Sequence, residues 1–209
     1  MGPVTAAEDR GRPAGVTFIP SADDSAFVAR LRAGDRVAIA ALFDRHAERV
    51  ERVLFRVLGV DHEIPDLLQD VFMHAMTGIA GYRGDDTNLA AWLTQIAVRR
   101  ARKCIRSRTT RRLLGLRTPG DLPEAPGSEN PELQTMLRRT YAVIDKLPAR
   151  ERIPFALRHV DGMRLVEIAE ACETSLATTK RRLTAARARF ERLAACDPLL
   201  RSWLEEDAS

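Results

Sequence analysis

The sequence has little of what a metalloprotein, a disulfide-linked protein or a membrane protein needs. Its three cysteines, Cys104, Cys172 and Cys196, are scattered and lack the CxxC spacing of a zinc or redox site. We expect them to be small packing residues in a reducing compartment. No apolar run approaches the roughly 18 to 20 residues that span a bilayer, and the N-terminus lacks the apolar core of a signal peptide. The sequence therefore predicts a cytoplasmic protein with no metal and no cofactor.

Motifs that carry catalysis are missing as well. The chain has no Gly-rich phosphate loop, no HExxH and no nucleophile elbow. Its histidines, His46, His62, His74 and His159, stand in unrelated places, and His46 falls on an apolar stripe that favours a packing role. The sequence predicts that the protein is not an enzyme.

Apolar residues are plentiful, whereas aromatic residues are scarce. Apolar residues make up 45% of the chain, enough to offset the entropy cost of ordering it. They recur at spacings of three and four along most segments, and no stretch shows the alternation of a strand. We therefore predict an all-α fold of two small helical domains joined by a Pro/Gly-rich linker.

Pro and Gly residues divide the chain into segments. We expect a disordered leader over 1–22, a first helical domain over 23–112 and a linker over 113–131. A second helical domain over 132–196 and an acidic tail over 197–209 follow. Apolar residues of the tail either pack on the second domain or regulate DNA binding, and the sequence leaves both roles open.

Basic residues are concentrated in two blocks rather than spread evenly. The net charge of +4 is only moderately basic, so the distribution carries more information than the sum. Residues 99–112 hold many basic residues and no acid, and residues 180–192 hold Glu191 as their one acid. Each block ends a predicted domain, which indicates two surfaces for a polyanion.

The second block lies in a predicted helix-turn-helix. A short helix from Arg164 is followed by a turn and a longer basic helix, with Ser175 as its N-cap. The leading part of such a helix enters the major groove of DNA, while Leu183, Ala186 and Phe190 face the core. The residues predicted to contact DNA are Ser175, Thr178, Thr179, Lys180, Arg181, Arg182 and Thr184.

Several short motifs, in order along the chain, resemble the sigma-70 family of bacterial RNA polymerase sigma factors. Residues 33–46 and 66–72 resemble the start of the family's second domain, and residues 82–97 resemble its end. Residues 147–152 and 178–183 resemble the fourth domain. The lack of a third domain between them is typical of the extracytoplasmic-function (ECF) class.

The resemblance implies a function and a set of contacts. The protein would bind core RNA polymerase and direct promoter-specific transcription initiation, with the helix-turn-helix on the minus-thirty-five element. Core polymerase would contact Asp66, Leu67, Gln69, Asp70 and Phe72. The loop that starts at Tyr82 would receive a flipped base of the minus-ten element, and the basic run would follow single-stranded DNA. The residues implied at the minus-ten element are Tyr82, Arg83, Asp85, Asn88, Gln95, Arg99, Arg102, Lys103 and Arg106.

Other interpretations stay open. A stand-alone helix-turn-helix regulator explains the second half alone, and a decoy that binds core polymerase without opening promoters explains both halves. The class commonly has an anti-sigma factor, which is a possible further partner.

Three local features modify these predictions. Glu173 stands in the turn where the family usually has glycine, which often supports a positive φ; a glutamate there costs about 1 kcal/mol if that conformation is kept. Pro154 implies that its helix is kinked or starts later than Pro148 suggests. Trp92 lies on an apolar stripe, which favours a core position over base stacking.

Overall fold

The computed structural model describes residues 22–59, 62–114 and 131–206. The predicted leader, apart from its last residue, and most of the predicted linker lie outside these ranges. Within them the regular secondary structure is helical, with no strand, which confirms the all-α prediction.

The described residues of the first half form four α-helices. They are α1 (Ala22–Arg32), α2 (Arg36–Leu58), α3 (Ile64–Gly78) and α4 (Asp86–Leu113). Asp35 caps α2, because its carboxylate accepts hydrogen bonds from the amides of Val37 and Ala38. A short 3-10 turn over Ile79–Gly81 leads from α3 towards α4.

The core of this half lies between α2, α3 and α4. Val50 and Leu54 of α2 are fully buried, as are Leu93 and Ala97 of α4. The spacing of four residues within each pair places both members on one face of their helix. This packing fixes the outward faces of α3 and α4, which carry most of the predicted contact residues.

Residues 131–206, the described part of the second half, form five α-helices. They are α5 (Pro131–Ile144), α6 (Ala149–His159), α7 (Leu165–Ala171), α8 (Leu176–Ala194) and α9 (Pro198–Glu206). Helix α6 begins directly after Pro148 and continues through Pro154, so of the two predicted alternatives, a kink or a later start, the later start is wrong. Because proline has no amide hydrogen, the carbonyl of Arg150 lacks the usual helical donor there.

The two halves share one apolar core. Ile153 and Leu157 of α6 and Ile168 of α7 belong to the same buried cluster as the side chains of α2 and α4. The guanidinium of Arg152, also on α6, is buried and donates to the carbonyls of Val57 and Leu58, at 2.9 and 3.1 Å. These carbonyls lie in the last turn of α2, where no helical donor is left for them. Arg152 of the second half thus provides the hydrogen-bond donors that the last turn of α2 lacks.

Helix α9 lies within the segment predicted as the tail. Leu200 is buried beside Val143 and Ala194, and Asp197 accepts hydrogen bonds from the amides of Leu199 and Leu200. The Asp197 carboxylate also pairs with Arg139 at 2.8 Å. Of the two roles left open for the tail, the structure shows packing on the second half at Leu200.

Candidate nucleic-acid interface

Helices α7 and α8 form the helix-turn-helix. The Ser175 hydroxyl accepts a hydrogen bond from the Thr178 amide at 3.2 Å, which confirms it as the N-cap of α8. In the turn before it, Glu173 has a φ of 54°, so the left-handed conformation usual for glycine at this position is kept. The turn sets the angle between the two helices and leaves the first amides of α8 at an exposed end.

The start of α8 carries most of the predicted contact residues at its surface. Ser175, Lys180, Arg181 and Thr184 are exposed, and Thr178 and Arg182 are half-buried. Free amides and two exposed cations at one helix end form a favourable site for phosphate.

Thr179 is the exception among these residues. Its side chain is fully buried, and its hydroxyl donates to the Ser175 carbonyl at 3.1 Å. It shares a face with Leu183 and Ala186, at spacings of four and three, and that face packs on the core. The prediction that Thr179 contacts DNA is wrong for this conformation, because its side chain is inaccessible.

The loop before α4 is organised around Tyr82. The ring is 7% exposed and lies against Trp92, with 4.6 Å between ring centroids. Its hydroxyl donates to the Asp85 carbonyl at 2.8 Å, and its own carbonyl accepts from Arg32 at 2.6 Å. Burial is the main cause that raises the pKa of Tyr82 to about 12. Tyr82 therefore supports the loop from inside rather than offering a free ring to a base.

Gly84 allows the Tyr82 ring to fold back over the loop. A Cβ atom at residue 84 would lie 2.6 Å from Cζ of Tyr82, closer than real side chains approach. Any other residue would displace the Tyr82 ring from this position.

The remaining predicted residues of this loop divide into an internal and an exposed group. The Asp85 carboxylate accepts from the Asn88 amide at 3.2 Å and from the Thr87 hydroxyl at 2.6 Å, which caps α4. The Thr87 hydrogen bond is the main cause that lowers the pKa of Asp85. Arg83 and Asn88 are exposed and are the loop residues best placed to meet a ligand.

A cavity of about 530 Å³ lies beside the loop. Its wall includes the aromatic rings of Tyr82 and Trp92, and the predicted residues Arg99 and Lys103 line it as well. Trp92 is half-buried, so it packs on the core as expected and also forms part of this wall. The half-buried Trp92 ring combined with these cations suits a single-stranded nucleotide.

Two further residues line this cavity: Arg100, which the sequence placed in the basic run but not among the minus-ten residues, and His74, which it did not predict. Arg100 precedes Lys103 by three residues, a spacing that places both on one face of α4. That signal was present in the sequence. His74 lies on α3, and only the packing of α3 on α4 brings it to the cavity.

The other predicted residues of α4 point elsewhere. Arg102 and Arg106 line a second cavity of about 640 Å³ with Arg150 and Arg182 of the second half. Gln95 is half-buried and lines neither cavity. The polar face of α4 was predicted as one surface. In the structure, one part of it lines the cavity beside the Tyr82 loop, and another part faces the second half of the chain.

The residues predicted to contact core polymerase lie on two sides of α3. Gln69 and Phe72 line an apolar groove of about 620 Å³ between α2 and α3, where Phe43 and Met73 are 42% and 58% exposed. Asp66, Leu67 and Asp70 instead line a cavity of about 280 Å³ together with basic residues of α4. Exposed apolar side chains around a groove are typical of a protein-binding surface.

Glu63 connects α3 to α4 and was not predicted from the sequence. Its carboxylate accepts hydrogen bonds from Arg108 at 2.5 Å and from the Cys104 thiol at 3.2 Å. Burial opposes ionisation, but these hydrogen bonds outweigh it and lower the pKa of Glu63. The Glu63–Arg108 contact holds the basic C-terminal part of α4 beside the start of α3.

Comparison with known proteins agrees with this geometry. The model of sigma-70 region 2 matches residues 42–111, and that of sigma-70 region 4 matches residues 137–190. The ECF RNA polymerase sigma-E factor of Haemophilus influenzae is 27% identical over 184 residues, covering 80% of this chain and 93% of that protein. The factor of the same name from Escherichia coli K12 is 28% identical over 174 residues, covering 78% and 90%.

Solved structures share the fold. CnrH in complex with the cytosolic domain of CnrY matches with a TM-score of 0.56 and 22% identity, covering 83% of this chain and 98% of CnrH. The sigma factor RpoE, in complex with the anti-sigma factor NepR from Bartonella quintana, matches with a TM-score of 0.54 and 21% identity, covering 72% and 92%.

The two matched regions and the helix-turn-helix define a bacterial sigma factor. The chain belongs to the sigma-70 family and to its extracytoplasmic-function class. Among the described residues, no helix is long and apolar enough to cross a membrane.

Proposed function

We propose that this chain binds core RNA polymerase and directs promoter-specific transcription initiation. The observation that carries the proposal is that the two matched regions present separate basic surfaces, one at the start of α8 and one around the Tyr82–Trp92 cavity. A promoter offers two elements that these surfaces could bind, the duplex minus-thirty-five element and the melted strand of the minus-ten element. The protein would position DNA and polymerase without a catalytic step of its own, and it would act in the cytoplasm, where transcription occurs.

The minus-thirty-five element is assigned to the start of α8. Lys180 and Arg181 are exposed there, and arginine reads guanine through two hydrogen bonds in the major groove. Free amides at the helix end would meet a phosphate. The proposed contact set is Ser175, Thr178, Lys180, Arg181, Arg182 and Thr184.

The minus-ten element is assigned to the cavity beside the loop. A base pulled from the stack costs a few kcal/mol, which a preformed pocket with an aromatic wall can offset. Arg83 and Asn88 stand at the loop, and Arg99, Arg100 and Lys103 provide the charge for the DNA backbone.

Core polymerase is assigned to the α2–α3 surface. The groove floor at Phe72 and the exposed Phe43 and Met73 offer apolar area, and Gln69 adds a polar contact at its rim. Asp66 and Asp70 remain proposed contacts on the acidic side of α3.

An anti-sigma protein is a further proposed partner. CnrH was solved with the cytosolic domain of CnrY, and RpoE with the anti-sigma factor NepR. A partner of this kind for the present chain would cover the same apolar groove and basic faces, because these are the surfaces that polymerase and DNA would use.

Run-off transcription with sigma-free core polymerase tests the proposal. Fragments from upstream of the protein's own gene serve as templates. We expect specific transcripts that are lost when Lys180, Arg181 and Arg182 are changed together to alanine. A control with the same charge change substitutes Arg138, Lys146 and Arg201, which are exposed on α5, the turn after it and α9, and it should transcribe normally.

The outcomes separate the alternatives. Binding to core polymerase without any open promoter would favour the decoy. A chain that binds duplex DNA specifically but does not bind core polymerase would be a stand-alone regulator, and the proposed function would be wrong.

A further inference from the structure

Four arginines converge on the cavity between the two halves of the chain. Its volume is about 640 Å³, and its walls come from α4, the start of α6, the turn before α8 and α8 itself. Helix α4 contributes Arg102 and Arg106, α6 contributes Arg150, and α8 contributes Arg182. Among the described residues that line the cavity, Glu173 is the one acid. The cavity, which we call the arginine cavity, therefore has an excess of positive charge.

The acid of the arginine cavity does not balance this excess, because an arginine from outside the cavity already binds it. The carboxylate of Glu173 accepts hydrogen bonds from Nε of Arg99 at 2.7 Å and from Nη2 of the same guanidinium. Arg99 lines the cavity beside the Tyr82 loop instead. The hydrogen bond from Arg99 is also the main cause that lowers the pKa of Glu173. The four arginines are thus left without this counter-ion.

Three of the four arginines have no other anion beside them. Within residues 22–59, 62–114 and 131–206, no carboxylate forms an ion pair with Arg102, Arg106 or Arg182. The guanidinium of Arg102 donates to the carbonyl of Cys172 at 3.3 Å, which does not neutralise its charge. Arg102 and Arg182 are half-buried, so their charges are partly removed from water. Like charges in such a place repel one another, and an anion that joined them would relieve this repulsion.

The size and lining of the arginine cavity favour a small phosphorylated molecule. A guanidinium binds phosphate oxygens through two parallel hydrogen bonds, and several guanidiniums suit an anion with several charges. A volume of about 640 Å³ lies within the range of small-molecule sites. The half-buried Pro148 and Ala149 form an apolar part of the wall. This part suits the uncharged portion of a small molecule and offers nothing to the phosphates of a DNA strand.

We propose that the arginine cavity is a binding site for a small molecule that carries two or three linked phosphates. Arg102 and Arg106 hold the phosphates from α4, and Arg182 holds them from α8. Arg150, which is exposed and lies 3.7 Å from Glu151, adds a fourth charge from α6. The inference does not depend on the proposed function, because the site belongs to the free chain and needs neither polymerase nor promoter.

Calorimetric titration of the full chain with inorganic triphosphate tests the site. Triphosphate is the charged part of the proposed ligand, and the titration uses a metal-free buffer at physiological salt. We expect saturable binding of one triphosphate per chain, because the four arginines form one cluster. Heat that does not saturate, or that saturates only with several triphosphates per chain, would overturn the proposal.

Two substitutions remove charge from different walls of the arginine cavity. Arg106→Gln and Arg150→Gln should each weaken triphosphate binding about tenfold, the effect of losing one charge-assisted hydrogen bond. Arg138→Gln is the matched control, since Arg138 is exposed on α5 and lies outside the cavity. Its affinity for triphosphate should equal that of the parent chain. Equal losses in all three variants would show a response to overall charge, and the cavity would not be the site.

The melting temperature without triphosphate separates a binding role from a structural one. Arg106→Gln should melt at the same temperature as the parent chain or higher, because the substitution removes one of several repelling charges. A lower melting temperature together with weaker triphosphate binding would show that Arg106 supports the fold, and this arginine would lose its assigned role.

A single-stranded oligonucleotide distinguishes a free phosphorylated molecule from DNA as the source of the phosphates. Arg150→Gln should leave the affinity for the oligonucleotide unchanged, because the minus-ten strand is assigned to the cavity beside the Tyr82 loop. Equal losses of affinity for oligonucleotide and triphosphate would show that the arginine cavity holds DNA, and the proposal would be wrong. Failure of the proposed function would appear in the run-off assay, whereas these titrations contain no polymerase.

Discussion

Ser175 shows how much one side chain contributes to the interface. Its hydroxyl accepts from the Thr178 amide and so stabilises the end of α8 that is assigned to the minus-thirty-five element. The sequence was sufficient to predict this cap, because serine before a helical pattern has a local cause. The burial of Thr179 and Tyr82 could not be predicted in the same way. It depends on which side of the helix or loop packs on the core, and the local sequence does not show this.

Substitution of Ser175 separates folding from DNA binding. Ser175→Ala should lower the free energy of unfolding by about 1 kcal/mol, because the cap is lost. Ser175→Asp should retain the cap yet weaken duplex binding, because its charge opposes phosphate. Thermal unfolding and duplex titration of both variants measure the two effects. Equal duplex affinity of Ser175→Asp and the parent chain would contradict the assignment of this helix end to phosphate.

Glu63 gives a pH-dependent prediction. Its pKa in the folded protein is lowered by Arg108 and Cys104 against the effect of burial, so its contribution to stability is fully present above the unfolded value of about 4.5 and is lost as the pH falls through the folded value. Glu63→Gln should therefore be less stable than the parent at pH 7, with the difference shrinking below about pH 4.5. Urea unfolding at a series of pH values measures it, and a difference that does not depend on pH would contradict the role of the carboxylate.

At the scale of helices, the sequence predicted which segments are helical better than which faces they present. The apolar spacing of α2 and α4 was a reliable signal of their existence and of their buried sides. The basic side of α4 was predicted as one surface. The structure divides it between the loop cavity and the second half, because tertiary packing places two neighbours around one helix. The contact residues of α3 divide in the same way.

The apolar groove between α2 and α3 provides a test at this scale. Met73→Glu should weaken binding to core polymerase at least about tenfold, because a charge in an apolar contact is costly to desolvate. The thermal stability should change little, since Met73 is 58% exposed. Titration of labelled core polymerase measures the affinity.

Val37→Glu is the control for the groove. Val37 is 69% exposed on the same α2–α3 half but does not line the groove. Equal losses of affinity in Met73→Glu and Val37→Glu would show that the effect is one of overall charge, and the groove would not be the contact.

At the scale of the whole molecule, the composition and the Pro-rich segment predicted two domains on a linker. The sequence could not indicate that α6 and α7 pack into the core of α2 and α4, because contacts between distant segments leave no local periodicity. Buried Arg152 is the clearest case. Nothing in the spacing of residues 147–152 indicates that this arginine reaches the end of α2.

The shared core predicts cooperative unfolding. Leu157→Ala should lower the free energy of unfolding by about 2 to 5 kcal/mol, as expected for a fully buried leucine. Because Leu157 lies in the cluster that includes α2 and α4, we expect one calorimetric transition that moves as a whole. A second transition, with only the half that contains Leu157 destabilised, would contradict the shared core.

The arginine that ends α2 has a consequence for protein engineering. Exchange of the second half for that of another sigma factor, a common way to combine promoter specificities, would remove the donor for the carbonyls of Val57 and Leu58. Such a chimera should lose the hydrogen bonds that help to hold its two halves together, unless an arginine is introduced at the position of Arg152. A successful exchange therefore depends on keeping Arg152 together with the end of α2, and not only on a cut within the linker.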